Sequence, residues 1–203
     1  MSNFAADFWN ERYSSDEYTY GENPNRFFKE ELDKISLPGK LFLPGEGEGR
    51  NAVYASKLGW QVDAFDQSAN AQKKALKLAQ KNKVKLNYNV VDLNKFIPLK
   101  NHYDAVAIIF VHFSNDYRKN FHTKMIDSLK PRGKIILEAF SKGQLGKSSG
   151  GPQDLSVLYS ISEIKKDFYN LKTILLKEEN VFLDEGNKHI GEASVIRFVG
   201  EKI

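Results

Sequence analysis

The stretch Leu41-Phe42-Leu43-Pro44-Gly45-Glu46-Gly47-Glu48-Gly49-Arg50-Asn51 constrains the fold more than any other part of the chain. A short apolar run enters a turn with glycine at every second position, and helical spacing follows at once through Ala52, Val53, Ala55 and Leu58. A strand, a loop that lets main chain approach a ligand, and a helix opening onto that loop begin an α/β nucleotide-binding domain. The turn also carries two carboxylates, Glu46 and Glu48. A dinucleotide lays its diphosphate on the helix N-terminus, where amides favour anions and nearby carboxylates repel them. A cationic cofactor meets no such repulsion.

Beyond the turn, strand and helix patterns alternate. Trp60–Asp66 reads as a second strand ending in an acid, and Ser68 as the N-cap of a lysine-rich helix reaching about Lys81. Leu86–Asp92 reads as a third strand, again ending in an acid, and Tyr103–Phe110 is a nearly continuous apolar run suited to a central strand covered on both faces. Asn115 or Asp116 caps a helix through Tyr117, Phe121, Met125, Ile126 and Leu129, stopped by Pro131-Arg132-Gly133 before a fifth strand over Lys134–Phe140. A Gly/Ser-rich loop from Ser141 to about Asp154 precedes a helix opened by Ser160 or Ser162. Two β-like runs, Leu171–Lys177 and Ser194–Glu201, flank a polar segment at Asp184–Lys188 and close the chain as a hairpin. The pattern predicts an α/β three-layer sandwich with a mostly parallel sheet and one antiparallel strand.

At 203 residues the chain is expected to form a single domain over 1–203. It has no cysteine, which excludes disulfides and thiolate chemistry. Met1–Asp7 shows no leader pattern, and no apolar run reaches the roughly 18 residues of a membrane span, so a cytoplasmic location away from membranes is expected. The net charge of +4 raises the question of nucleic acid. Lys73, Lys77 and Lys81, however, follow helical spacing opposite Ala71, Ala75, Leu78 and Ala79, as a solvated outer face does. None of His102, His112, His122 and His189 has metal-ligand spacing to another, so no metal is expected.

In order and spacing, Gly45-x-Gly47-x-Gly49, Asp66, Asp92 and the strand ending at Phe110 resemble the class I S-adenosylmethionine-dependent methyltransferases. The sulfonium of that donor is the kind of cation the acidic turn suits. Several stretches resemble the tellurite-resistance and thiopurine-methyltransferase-like branch. They are Phe8-Trp9-Asn10-Glu11-Arg12-Tyr13, Tyr20-Gly21-Glu22-Asn23-Pro24-Asn25, the string Glu46–Ala52, and Gly150-Gly151-Pro152 followed by Tyr159. The resemblance implies a Rossmann-like methyltransferase fold: seven strands in the order 3-2-1-4-5-7-6, the last antiparallel. It also implies an N-terminal cap over 1–36 above a core of 37–203. One departure is that Phe42, Leu43 and Pro44 stand where this family often carries an acid, leaving Glu46 as a substitute holder of the methionyl amine.

Under that resemblance, Gly45, Gly47 and Gly49 admit the cofactor to the main chain. Asp66, 21 residues beyond Gly45, accepts from both ribose hydroxyls or else caps the next helix. Gln67 borders the adenine, as do Asp92 and Leu93, although Asp92 also suits a plain turn. Phe110 lies beside the sulfonium. His112 is either a base toward the acceptor or a packing residue. The aromatic N-terminus, from Phe4 and Phe8 to Tyr18, packs on the sheet edge or closes over the donor, with Trp9, Tyr13 and Tyr20 toward the methionyl end. Arg50 orients Glu46 or Glu48. The Ser141–Asp154 loop is expected to be a lid, with Gln144 and Tyr159 in the acceptor pocket. The expected activity is methyl transfer from S-adenosylmethionine to a small soluble acceptor, such as a thiol or a chalcogen oxyanion, by in-line displacement, leaving S-adenosylhomocysteine. The alternatives are a methyltransferase acting on RNA or protein and a non-catalytic donor-binding module; no oligomeric state is implied.

Overall fold

A computed structural model describes residues 4–93 and 95–203; Met1–Asn3, where a leader was sought, and Asn94 lie outside the described residues, as do the side chains of Phe4, Ala5 and Asn115. The sheet has seven strands: β1 (Lys40–Pro44), β2 (Gln61–Asp66), β3 (Asn87–Val90), β4 (Tyr103–Ile109), β5 (Leu129–Phe140), β6 (Leu171–Asp184) and β7 (Ile190–Lys202). Their order is β3-β2-β1-β4-β5-β7-β6. The helices are α1 (Phe4–Arg12), α2 (Arg26–Leu32), α3 (Arg50–Lys57), α4 (Ala69–Lys81), α5 (Asn115–Ser128) and α6 (Ile161–Asp167). No helix among the described residues is long and apolar enough to cross a membrane.

The residues gather into two compact units, one running up to Phe96 and including Glu185–Lys188, the other holding Ile97–Asp184 and His189–Ile203. In the first, β2 pairs in parallel with both β1 and β3. Phe42, Phe65 and Phe96 meet as a ring cluster, with centroids 4.5–5.6 Å apart. Ser68 caps α4 as the sequence predicts, its side chain accepting from the Ala71 N–H. The face of α4 with Ala71, Ala75, Leu78 and Ala79 is buried, and Lys74 is buried on it while Lys73, Lys77 and Lys81 stay exposed. Helix α2 had no sequence expectation. Asn25 caps it by accepting from the Phe28 N–H, and Phe27, Phe28 and Leu32 bury its inner face.

In the second unit, β4 and β5 pair in parallel, and β7 lies antiparallel between β5 and β6. The stop at Pro131-Arg132-Gly133 is part of a wide irregularity inside β5. Tyr103 pairs with Leu129, Ala105 pairs with Lys134, and Arg132 adopts φ +66°. Helix α5 starts at Ser114, which makes no side-chain cap, and Asp116 sits in its first turn. Ser160 caps α6 by accepting from the Glu163 N–H. The closing hairpin is longer than its apolar runs suggest, because charged residues continue both strands of this β6–β7 pair to a tip at Glu185–Lys188.

Candidate methyl-donor site

In the first unit the Gly45–Gly49 turn leaves β1 with all three glycines at positive φ, a region that side-chain-bearing residues rarely adopt. A Cβ on Gly47 would stand 2.8 Å from the Tyr13 hydroxyl, and one on Gly49 would stand 2.6 Å from the Ala75 Cβ. Gly47 is thus where the N-terminal segment touches the turn, and Gly49 is where α3 and α4 close together. Asp66, at the end of β2, is buried and accepts from the Gly47 N–H at 3.0 Å and the Ser68 N–H at 2.9 Å. Burial pushes its carboxyl up from the ordinary range, and these main-chain donors oppose that. Ser68 rather than Asp66 caps α4, and since a carboxylate offers about four acceptor positions, these two main-chain bonds leave room on Asp66 for two hydroxyl donors. The Tyr88 hydroxyl donates to the Gly47 carbonyl at 2.6 Å and steadies the other side of the turn.

The two acids of the turn part company. Glu46 folds back on the start of α3, accepting from the Ala52 N–H at 2.7 Å and, at 3.5 Å, from Asn51 Nδ2. Burial raises its carboxyl to about 7. The helix amide that a diphosphate would need is therefore already bonded to the protein's own carboxyl. Glu48 turns the other way. It accepts the Thr19 N–H at 3.1 Å and the Tyr20 N–H at 3.2 Å, and pairs with Lys74 at 2.5 Å. Arg50, expected to orient one of these glutamates, is drawn elsewhere: it donates to the Tyr20 carbonyl at 3.1 Å and pairs with Glu185 of the hairpin tip at 2.8 Å. Asn51 accepts the Asn25 N–H at 2.9 Å, and Asn25 Nδ2 donates to Glu185 at 2.9 Å. Nearly every polar side chain in Glu46–Asn51 is spent on the segment 19–25 or on the tip.

The N-terminal segment from α1 to Tyr20 brings aromatic rings to the turn. Trp9 stacks on Tyr13 with centroids 5.6 Å apart, and Tyr20 meets Tyr13 edge-on at 6.3 Å. Tyr13 is buried, and burial, then the Asp66 charge, pushes its phenol well above the ordinary value. Asn10 docks α1 on the start of α4, accepting from Ser68 Oγ at 2.8 Å and from the Asn70 N–H at 3.2 Å. Gln67 is half-buried beside Asp66. Asp92 is exposed. Its carbonyl accepts from Lys95 and Phe96, as a turn residue does, with half-buried Leu93 beside it.

In the second unit the end of β4 is aromatic. Phe110 adopts φ +53°, a costly backbone for a bulky residue, and its ring packs 4.6 Å from Phe140 and 4.7 Å from His189. His112 Nδ1 lies 2.9 Å from the Val157 carbonyl, and Nε2 accepts the Phe140 N–H at 3.3 Å. Both ring nitrogens thus face main chain, and burial lowers its pKa to about 4. Gln144 and Tyr159 are not pocket residues but fully buried supports. Gln144 donates to Ser149 and Gly150 and accepts the Ser194 N–H, and the Tyr159 hydroxyl donates to the Val111 carbonyl. The predicted lid is therefore pinned at its base. Among the described residues no group of three or more acids and histidines is placed to hold a metal.

Lys74, Asn10, Asn25, Tyr88 and Glu185 carried no sequence prediction. Only Lys74 left a trace, sitting on the Ala71–Ala75–Leu78 face and out of phase with the other lysines.

Residues 44–133 match the family model of a methyltransferase domain. No curated protein sequence matches the chain. Among solved structures, magnesium protoporphyrin IX methyltransferase from Synechocystis PCC 6803, solved with bound S-adenosylhomocysteine, superposes with a TM-score of 0.72 at 16% identity, covering 99% of each chain. TehB from Haemophilus influenzae gives 0.74 at 17% identity, over 98% of this chain and 67% of that one. A protein of echinomycin biosynthesis, associated with conversion of a disulfide bond into a thioacetal group, gives 0.78 at 14% identity, over 98% and 90%. The sheet order agrees with the matched region: the chain has the Rossmann-like fold of class I methyltransferases, with similarity to a methyltransferase domain over residues 44–133.

Proposed function

We propose that this methyltransferase acts on a small acceptor whose nucleophile is reactive without help from a protein base, a thiol or a comparable chalcogen, as in the tellurite-resistance and thiopurine-methyltransferase-like branch. The observation that carries this reading is His112: both of its ring nitrogens are engaged by main chain, and its pKa near 4 makes it a poor proton acceptor. The sulfur chemistry of the echinomycin relative supports the same class.

For the donor, Gly45, Gly47 and Gly49 admit its approach, and Asp66 takes the ribose hydroxyls. Gln67, Asp92 and Leu93 border the adenine, and Trp9, Tyr13 and Tyr20 cover the donor from the segment that ends at residue 36. Gly47 supports this reading, since a Cβ there meets Tyr13 and leaves no room for a side chain. We assign Glu46 to the start of α3 rather than to the methionyl amine. Phe110 and His112 shape the end of β4. When bound, the donor would supply an electrophilic methyl on a sulfonium, with a neutral thioether as its leaving group. Proximity and orientation carry such a displacement.

The test is the pH dependence of kcat/KM across thiols of different acidity, with phenols and amines for comparison. The expected result is turnover on thiols, with an inflection that follows each acceptor's own pKa. One inflection shared by all acceptors would identify a protein base and overturn the reading. Salt-sensitive binding of RNA, with methylation of it, would overturn the small-acceptor assignment. Lys77 and Lys81 share their surface cavity with Asp16, Glu17 and Glu22, so that face is mixed in charge rather than a basic patch.

A further inference from the structure

We infer that Glu48 and Lys74 are positioning residues for the methyl donor. They clamp the N-terminal segment across the glycine turn and so set how firmly the donor is retained, without touching it. This inference rests on the donor site proposed above.

Glu48 lies in the turn, yet its side-chain carboxylate is 2% exposed and both of its oxygens take main-chain N–H groups of the covering segment, Thr19 and Tyr20. Lys74, on the buried face of α4, closes the pair and donates as well to the carbonyls of Ser15 and Glu17, with its ammonium 5.1 Å above the Tyr18 ring. One buried ion pair thus gathers the main chain of Ser15, Glu17, Thr19 and Tyr20. Buried charge-assisted bonds of this kind are costly to break singly, because the remaining charge is left uncompensated. Tyr13, the ring at Gly47, and Tyr20, which meets Tyr13 edge-on, flank the gathered segment. The far side is closed by the hairpin tip, where a Cβ on Gly186 would stand 2.5 Å from both the Gly21 nitrogen and the Thr19 carbonyl oxygen. Gly186 meets only the main chain of Thr19, Tyr20 and Gly21, so substitution there pushes the same segment outward without altering Glu48 or Lys74.

The experiment compares the unaltered protein with Glu48→Gln, Lys74→Met, Lys74→Arg and Gly186→Ala. It measures amide exchange without ligand, S-adenosylhomocysteine binding by calorimetry, and KM for the donor against kcat. Faster exchange at the Thr19 and Tyr20 amides is expected in Glu48→Gln, Lys74→Met and Gly186→Ala, with unchanged exchange in the β4 strand showing that the fold is intact. Product binding is expected to weaken about tenfold. KM for the donor rises in parallel while kcat holds or increases, and Lys74→Arg restores most of the affinity. Unchanged exchange at Thr19 and Tyr20 in Glu48→Gln and Gly186→Ala overturns the clamp whether or not a ligand binds. Faster exchange with product affinity within twofold of the unaltered protein overturns the link to the donor. Failure of the unaltered protein itself to bind S-adenosylhomocysteine overturns the donor site on which the inference stands, and the exchange data then still judge the clamp.

Discussion

The carboxyl ends of β1 and β4 are built from different materials. At β1, glycines bend the chain, and the acids between them bond to main chain: Glu46 to the start of α3, Glu48 to the segment at Thr19 and Tyr20. At β4, Phe110 bends instead, at φ +53°, and rings fill the space around it. The first end is rigid because charged groups are satisfied at several points, and the second because large rings pack. Polar satisfaction fails abruptly when one partner is removed, whereas ring packing yields by degrees.

The largest expected difference comes from adding one methyl group to each region. In Gly49→Ala the new Cβ meets the Ala75 Cβ at 2.6 Å and its Cα at 2.8 Å, inside α4, at φ +89°. A helix backbone cannot step aside, so a loss of about 3–4 kcal/mol in unfolding free energy is expected. Gly151→Ala meets the Phe140 ring at 2.6 Å at φ +83°, a side chain rather than a helix backbone, and about 1–2 kcal/mol is expected. Denaturant unfolding of both variants checks this, and equal losses would erase the contrast between the regions.

Next in size are the effects on the donor. Asp66→Ala is expected to weaken S-adenosylhomocysteine binding about a hundredfold, since it removes the buried carboxylate proposed to take two hydroxyls and leaves the Gly47 and Ser68 amides unpaired. His112→Gln is expected to change the same affinity by less than about threefold, because its ring serves main chain. Calorimetry on the two variants decides the matter, and a large loss from His112→Gln would give the end of β4 a direct role in holding the donor.

The contrast also explains what the sequence made legible. Strand positions, the Ser68 and Ser160 caps and the buried face of α4 follow from periodicity and capping, which are local, whereas the strand order came only with the family resemblance. The turn at the glycines and the place of Asp66 at the end of β2 were legible because a bend after a strand and a strand-end acid leave fixed spacings. The destinations of Glu48, Arg50 and Asn51 were not, since their partners stand at Thr19, Tyr20, Asn25 and Glu185, and no local rule reaches that far. The supposed lid misled for a related reason. Its glycines and serines look mobile, but buried Gln144 pins the base through Ser149, Gly150 and the Ser194 amide.

The sharpest test of the two materials is the pH dependence of stability. Glu46 has its pKa raised by burial from 4.5 to about 7. The folded state therefore holds a proton that the unfolded chain releases, and the stability this contributes is complete below about pH 4.5 and lost as pH rises to about 7. His112 has its pKa lowered by burial from 6.5 to about 4, so its contribution is complete above about pH 6.5 and lost as pH falls toward 4. The two slopes oppose one another across the same interval. Glu46→Gln is expected to remove the loss on the alkaline side, leaving stability that only falls as the solution is acidified. His112→Gln removes the loss on the acid side, leaving stability that falls as pH rises. Each change should amount to about 2–3 kcal/mol across the interval, read from denaturant midpoints at half-unit steps from pH 4 to 8. If Glu46→Gln leaves the profile unmoved, the carboxyl at the start of α3 is ionised throughout, and the end of β1 carries a fixed charge rather than a proton.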